Sequence, residues 1–220
     1  MGTTRLANGA NGGSADASPP DSAAGIRKAQ LIRAVYRVMS REGVHRVSLQ
    51  RIAEEAGVSK GLLLYHYDTK DAMVLSAMEW VLESTADRIR HHVANIDDDA
   101  QLLSAVLDAI WLDPVKNLEF FRFYLDGVEH QARSPEFDEF AQSCRETMNG
   151  LYTDIIQLGV DVGLVTVGDP VAAGIQMRSI IEGTFLQWLQ TPDWRESHGH
   201  YKDLCRDGLS RILRVDAGHT

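Results

Sequence analysis

Residues 53–70 read AEEAGVSKGLLLYHYDTK, two short helix-forming runs that meet at Gly57. Ser48 is placed to cap the first run, LQRIAEEA, and Ser59 the second, KGLLLYHY. Ile52, Ala53 and Ala56 give the first run an apolar face, Val58 anchors the turn, and Gly57 supplies the permissive backbone that a sharp corner needs. Asp68 followed by Asp71 has the spacing of a capping box for a further helix. The pattern fits a helix-turn-helix, in which the first helix braces a second whose amino end enters a DNA major groove. It also fits a plain corner in a helical protein. Gly61 bears on the choice, since a solvent-exposed helical glycine costs about 1 kcal/mol against alanine.

The surrounding charge favours the first reading. The 220-residue chain carries −9 overall, which taken alone argues against nucleic acid. The distribution reverses that argument. Residues 24–70 carry +5, residues 71–220 carry −13, and residues 1–23 carry −1. A compact basic segment is attached to an acidic body.

Residues 1–23 are rich in Gly, Ala, Asn and Ser, with Pro19-Pro20, and are expected to be a disordered tail. From about Gly25 apolar residues recur at three- and four-residue steps (Ile26, Ala29, Leu31, Val35, Val38), predicting a first helix closed by Gly43. After the two short helices, a fourth runs towards Asn95. Asp97–Asp99, Asp113-Pro114, Ser134-Pro135 and Asp169-Pro170 open four more, and a last one carries Tyr201, Leu204, Cys205, Leu209 and Leu213. No segment alternates as a strand does. The expectation is an all-α chain of about nine helices. No run reaches the roughly 18 apolar residues of a membrane span, and no secretory signal is evident, so a cytoplasmic protein is expected.

The stretch SLQRIAEEAGVSKGLLLYHYDTK, residues 48–70, resembles the DNA-binding motif of the TetR family of bacterial transcriptional regulators. The shared features are the Ser before Ile52-Ala53, then Ala-Gly-Val-Ser, Gly61, Leu63, Tyr65, His66, an aromatic residue and Lys70; Leu64 stands where the commonest pattern has Tyr. The resemblance implies a three-helix DNA-binding domain over residues 24–70 and a helical effector-binding and dimerisation domain over residues 71–220. It implies that Gln50, Lys60, Gly61 and Leu62 face bases. Lys60 is suited to guanine O6/N7 and Leu62 to a thymine methyl. Ser48, Tyr65, His66 and Lys70 match positions that hold phosphates, assisted by the backbone N–H groups that open the fourth helix. It also implies dimerisation through the last two long helices, double-stranded DNA with a palindromic operator as partner, and repression relieved by a small molecule.

The acidic body is less explicit. The run from Pro170 to Gln190 is apolar on several faces, as a helix buried on more than one side would be, and Ala172, Ala173, Gly174 and Gly183 permit close helix approach. Trp111, Phe120, Tyr124, His130, Met148, Tyr152, Arg178 and Trp188 are the candidates for an effector site, because a mostly apolar cavity with a few placed polar groups is what such a site requires. The same residues serve equally as core, and Arg178 with Glu182 serves equally as an intrahelical pair. Cys144 and Cys205 lie far apart, outside CxxC spacing, and are expected as buried thiols. No HExxH, nucleophile elbow or phosphate loop is present, so neither an enzyme nor a metal or cofactor site is expected. The competing reading is a helical small-molecule carrier or scaffold without specific DNA binding.

Overall fold

The structure is a computed structural model that describes residues 23–96, 98–132 and 137–213. The predicted tail up to residue 22, Asp97 and Ser134-Pro135 lie outside those residues. The described chain is all helix: α1 (Ala23–Glu42), α2 (Leu49–Ala56), α3 (Lys60–His66), α4 (Lys70–Ala94), α5 (Leu102–Ile110), α6 (Pro114–Gln131), α7 (Asp138–Asp161), α8 (Pro170–Leu189) and α9 (Trp194–Leu213), with a 3₁₀ turn at Asp99–Gln101. None of these helices is long and apolar enough to cross a membrane.

Several expected boundaries are met by the expected chemistry. Asp169 accepts from the N–H groups of Val171 and Ala172 to open α8, and Asp113 accepts from those of Val115 and Lys116 to open α6. Gly43 and Gly57 follow α1 and α2 with φ of +87° and +66°. Two expectations are corrected. The cap of α4 is Thr69, whose hydroxyl accepts from Ala72 N at 3.0 Å, and not an Asp68–Asp71 box. The fifth helix is also shorter than its periodicity suggested, because the 3₁₀ turn takes its first residues and Trp111 is already past its end.

The described residues group into two compact units, one of residues 23–83 and 119–141, the other of residues 84–118 and 142–213; α4, α6 and α7 contribute residues to both. In the first unit the apolar spacing of α1 sets the core. Leu31, Val35, Val38 and Met39 are buried with Ile52 and Ala53 of α2, Leu63 of α3, and Met73, Val74 and Ala77 of α4. Tyr36 meets Phe123 of α6 and Trp80 of α4 edge-on, at 5.3 and 5.8 Å between ring centroids. α6 is pinned to the α1–α2 corner by polar contacts. Asp126 accepts from Val44 N at 2.9 Å, and Arg41 Nε donates to Glu119 at 3.3 Å.

In the second unit α8 is the centre, with Ala173, Met177, Ile181, Phe185 and Trp188 all buried. Gly174 lets α7 come close, since a Cβ there would lie 2.7 Å from Thr153 N. Gly183, by contrast, faces no described neighbour within 4 Å of a built Cβ. Cys205 is buried, and burial pushes its thiol up to about 11. Cys144 is only half-buried, a correction to the expected buried thiol, because it sits at the edge of α7 beside Arg178.

Asn117 and His198 form the unit's one buried polar pair among the described residues, with His198 Nε2 2.8 Å from Asn117 Oδ1. Asn117 Nδ2 donates to Ile110 O at 2.8 Å, so its oxygen faces the imidazole and Nε2 is the donor. Burial, and then Lys202, lower the His198 pKa against a weaker opposing pull from Asp113. A histidine held neutral in the fold but free to protonate when unfolded lowers stability as pH falls. The loss should begin below about 6.5, the ordinary histidine value, and be complete below the depressed folded value. His198→Gln should flatten this part of a denaturant-melt profile between pH 7.5 and 5; an unchanged profile would assign the pH dependence elsewhere.

Candidate nucleic-acid interface

The corner quoted above is a helix-turn-helix. Ser48 Oγ accepts from Arg51 N at 3.2 Å, and Ser59 Oγ accepts from Leu62 N at 3.1 Å, so each short helix begins where its cap dictates. Gly57 takes the left-handed backbone between them, and Val58 N closes the turn on Ala53 O at 3.0 Å. A helix of only seven residues is marginal alone. α3 is held by Leu63, fully buried, and by Tyr67 at its carboxyl end, 5% exposed.

That anchoring decides what α3 shows outward. Lys60, Gly61, Leu64 and Tyr65 are exposed, Leu62 and His66 are half-buried along the edge, and Tyr65 is 82% exposed. Tyr65 and Tyr67, two residues apart, are thus divided between surface and core. The His66 ring lies 5.4 Å from that of Tyr65, edge-on. On α2 Gln50 is exposed, its amide nitrogen donating to Glu54 at 3.1 Å. The hydroxyl of Ser48 accepts as a cap and keeps its own proton for an outside acceptor.

The basic surplus of this segment divides into braces and free cations. Arg37 and Arg51 both reach Glu55, at 3.0 and 3.4 Å, and Arg51 also reaches Glu42 at 2.8 Å. The Arg37 hydrogen bond holds the Glu55 carboxyl below its usual range, and the bond to Glu42 raises Arg51. These are exposed pairs that fix α1 against α2 and are worth little individually. Lys60 and Lys70 have no ion pair among the described residues. Each is the first residue of its helix, where the positive end of the helix dipole disfavours a cation. Partial burial lowers the Lys70 pKa, against the pull of Asp71. Asp71 offsets part of that placement for Lys70, and an external anion would relieve it at both lysines.

Gly61 gives the same message by a different route. Its backbone is ordinary helix, and a Cβ built on it would meet only Ser59 Oγ, at 3.9 Å. The fold therefore has no steric use for a glycine at this exposed helical position. The start of α4 and the cleared start of α3 belong to the same short segment.

The effector candidates are divided between the two units. Phe120, Tyr124 and His130 belong to the first. Phe120 and Tyr124 lie parallel with centroids 6.1 Å apart, while His130 packs on Phe137 at 4.6 Å and faces Asp71 at 3.4 Å. Trp111, Met148, Tyr152, Arg178 and Trp188 belong to the second. Trp111 stacks on Phe185 at 3.8 Å and meets Trp188 and His198 edge-on. Met148 and Tyr152 are buried. Arg178 donates to Glu182 at 2.6 Å and to Asn149 at 3.1 Å, so its intrahelical pairing is realised. A cavity in this unit, lined by Leu102, Val106, Ile155, Val165, Met177 and Leu213 among others, includes none of the eight candidates and leaves only about 40 Å³ for the centres of water molecules. No grouping of His, Cys, Asp and Glu suited to a metal occurs among the described residues.

Residues 31–77 match the family described as "Bacterial regulatory proteins, tetR family". Curated relatives include the HTH-type transcriptional regulator BetI of Vibrio campbellii, 32% identical over 85 residues, which are 38% of this chain and 43% of that protein. The BetI of Yersinia pestis is 24% identical over 119 residues, 53% of this chain and 60% of the relative. The chain thus aligns with about half the length of the curated relatives it matches. Among solved structures, a putative transcriptional regulator of Saccharomonospora viridis in complex with choline superposes with a TM-score of 0.71 at 19% identity, over 88% of this chain and 97% of that one. A TetR transcription regulator of Haloarcula marismortui gives 0.71 at 22%, over 86% and 97%. The structural likenesses establish the fold, and the matched segment coincides with the helix-turn-helix and its flanking helices. The match to the tetR family of bacterial regulatory proteins is carried by residues 31–77 of this chain.

Proposed function

We propose that this protein is a ligand-responsive, sequence-specific DNA-binding regulator, acting in the cytoplasm as a homodimeric repressor that a small molecule releases from a palindromic operator. The observation that carries the reading is Gly61, an exposed helical glycine without a use inside the fold, with Lys60 and Lys70 placed at helix starts and in no ion pair among the described residues. A duplex supplies what both lack. Its groove needs the cleared surface, and its phosphates need the cations. In this reading residues 24–70 form the DNA-binding domain and residues 71–220 the effector and dimerisation domain. Gln50, Lys60, Gly61 and Leu62 face bases, while Ser48, Tyr65, His66 and Lys70 hold phosphates.

Lys70→Ala tests the phosphate assignment. Binding to all duplexes should weaken uniformly, and the slope of log K against log salt should become shallower by about one. An unchanged slope would remove Lys70 from the contacts.

Dimerisation would run through α8 and α9. Val171, Ile175 and Leu186 are 45–56% exposed at spacings that place them on one face of α8, and Leu204 of α9 is 46% exposed. A twofold partner would cover such a face and set two recognition helices about 34 Å apart for a palindromic site. Ile175→Glu combined with Leu186→Glu should convert a dimer to a folded monomer in sedimentation velocity. A dimer that persists would place the interface elsewhere.

For the effector, the choline complex of the structural neighbour and the −13 charge of residues 71–220 both favour a small organic cation. The buried aromatic rings of Trp111, Phe185 and Trp188 have the chemistry to hold one. The effector acts only through its different affinity for the two conformations, with coupling typically about 1–3 kcal/mol.

A further inference from the structure

We propose that a hollow at the α1–α2 corner binds a small multivalent anion of the phosphate or pyrophosphate type. The hollow lies within the unit that carries the helix-turn-helix, and its walls are the end of α1, the turn of residues 43–46, and α6 at Arg122 and Asp126. Its volume is about 290 Å³, ample for a small anion.

Three guanidinium groups and one imidazole, from Arg41, Arg46, Arg122 and His45, line this space against the carboxylates of Glu42 and Asp126. Glu42 is paired with a cation, and Asp126 keeps its charge but is held by a backbone amide. Glu42 accepts from Arg51 at 2.8 Å, and Asp126 accepts from Val44 N at 2.9 Å. Arg41 commits its Nε to Glu119 and keeps its other nitrogens. Arg46 and Arg122 have no ion pair among the described residues. Isolated surface arginines are ordinary; what sets these apart is convergence from two elements onto one concavity. Each fork presents N–H donors in the planar spacing that matches two oxygens of a phosphate group. None of the eight residues assigned to the DNA face lines the hollow, which favours a free anion over a duplex phosphate.

An occupant would join Arg122 of α6 to Arg46 of the turn. These are the elements already tied by the Asp126–Val44 and Arg41–Glu119 bonds, so the anion would tighten an existing seam. This site is separate from the effector proposed above and extends that account.

The test is calorimetric titration of the full chain, without DNA, using sodium pyrophosphate at fixed ionic strength against a sodium chloride control. The expected result is one saturable site per chain, with a dissociation constant raised about tenfold or more by Arg122→Ala and by Arg46→Ala. Arg145→Ala on α7 should leave it unchanged. Duplex binding by Arg122→Ala should keep the wild-type salt slope. Absence of a saturable heat would overturn the proposal, as would equal weakening in all three variants. A shallower salt slope in Arg122→Ala would overturn it too, by assigning that arginine to the duplex.

Discussion

Gly61→Ala is expected to make the protein more stable and less able to bind DNA, and Gly61→Leu to do both more strongly. Replacing an exposed helical glycine by alanine gains up to about 1 kcal/mol. The structure contains no clash to offset that gain, with the nearest atom 3.9 Å from the added carbon. In the proposed complex with DNA the same carbon would stand between α3 and the groove. A displaced recognition helix forfeits base contacts worth about 1–3 kcal/mol each. Alanine should therefore cost about tenfold in affinity for the operator and leucine about a hundredfold. The trend with side-chain size is the informative part, because loss of charge or of fold would produce none. Thermal unfolding and a duplex-binding titration on the same preparations give both readouts. Improved stability with unchanged affinity would leave the glycine unexplained and remove the main support for α3 as the reading helix.

Trp188→Ala should have the largest effect on stability. The side chain is fully buried, with Phe185, Trp111, Trp194 and His198 around it at centroid distances of 5.1–6.2 Å. Its Nε1 donates to Trp194 O at 2.6 Å, fastening the start of α9 to the end of α8. Removing a buried Trp costs about 3–5 kcal/mol, a large share of the roughly 5–15 kcal/mol that holds a typical protein folded. For a chain of this size the melting temperature should fall by about 10 °C. Trp188→Phe should restore most of the packing but not the hydrogen bond, and so retain a deficit of about 1–2 kcal/mol. If alanine is tolerated with little change, Trp188 borders space that the chain does not fill. That outcome would make effector binding, and not packing, the main role of this side chain.

The two short helices were legible because local chemistry determines them. Ser48, Gly57 and Ser59 act on their own neighbours, and the +5 charge of residues 24–70 is a property of composition. The Thr69 cap was hidden by a competing local signal, since Asp68 and Asp71 offer an equally plausible box until backbone geometry selects the hydroxyl. The division of the effector candidates between units was not legible, because helical periodicity reports which side of a helix is buried and not what buries it. Arg178 illustrates the point. Its four-residue spacing from Glu182 was visible, whereas Asn149 comes from α7 and leaves no trace in the spacing. The Asn117–His198 pair and the Arg46–Arg122 hollow are likewise products of tertiary packing, joining residues 81 and 76 positions apart.

As a twofold dimer, the proposed regulator should read a defined sequence through α3. Selection of bound sequences from a random duplex pool, by the full chain at near-physiological salt, tests it most directly. The expected result is an enriched palindrome whose half-sites lie one helical turn apart, or a multiple of it. An unenriched pool, with only weak and strongly salt-dependent binding, would contradict it.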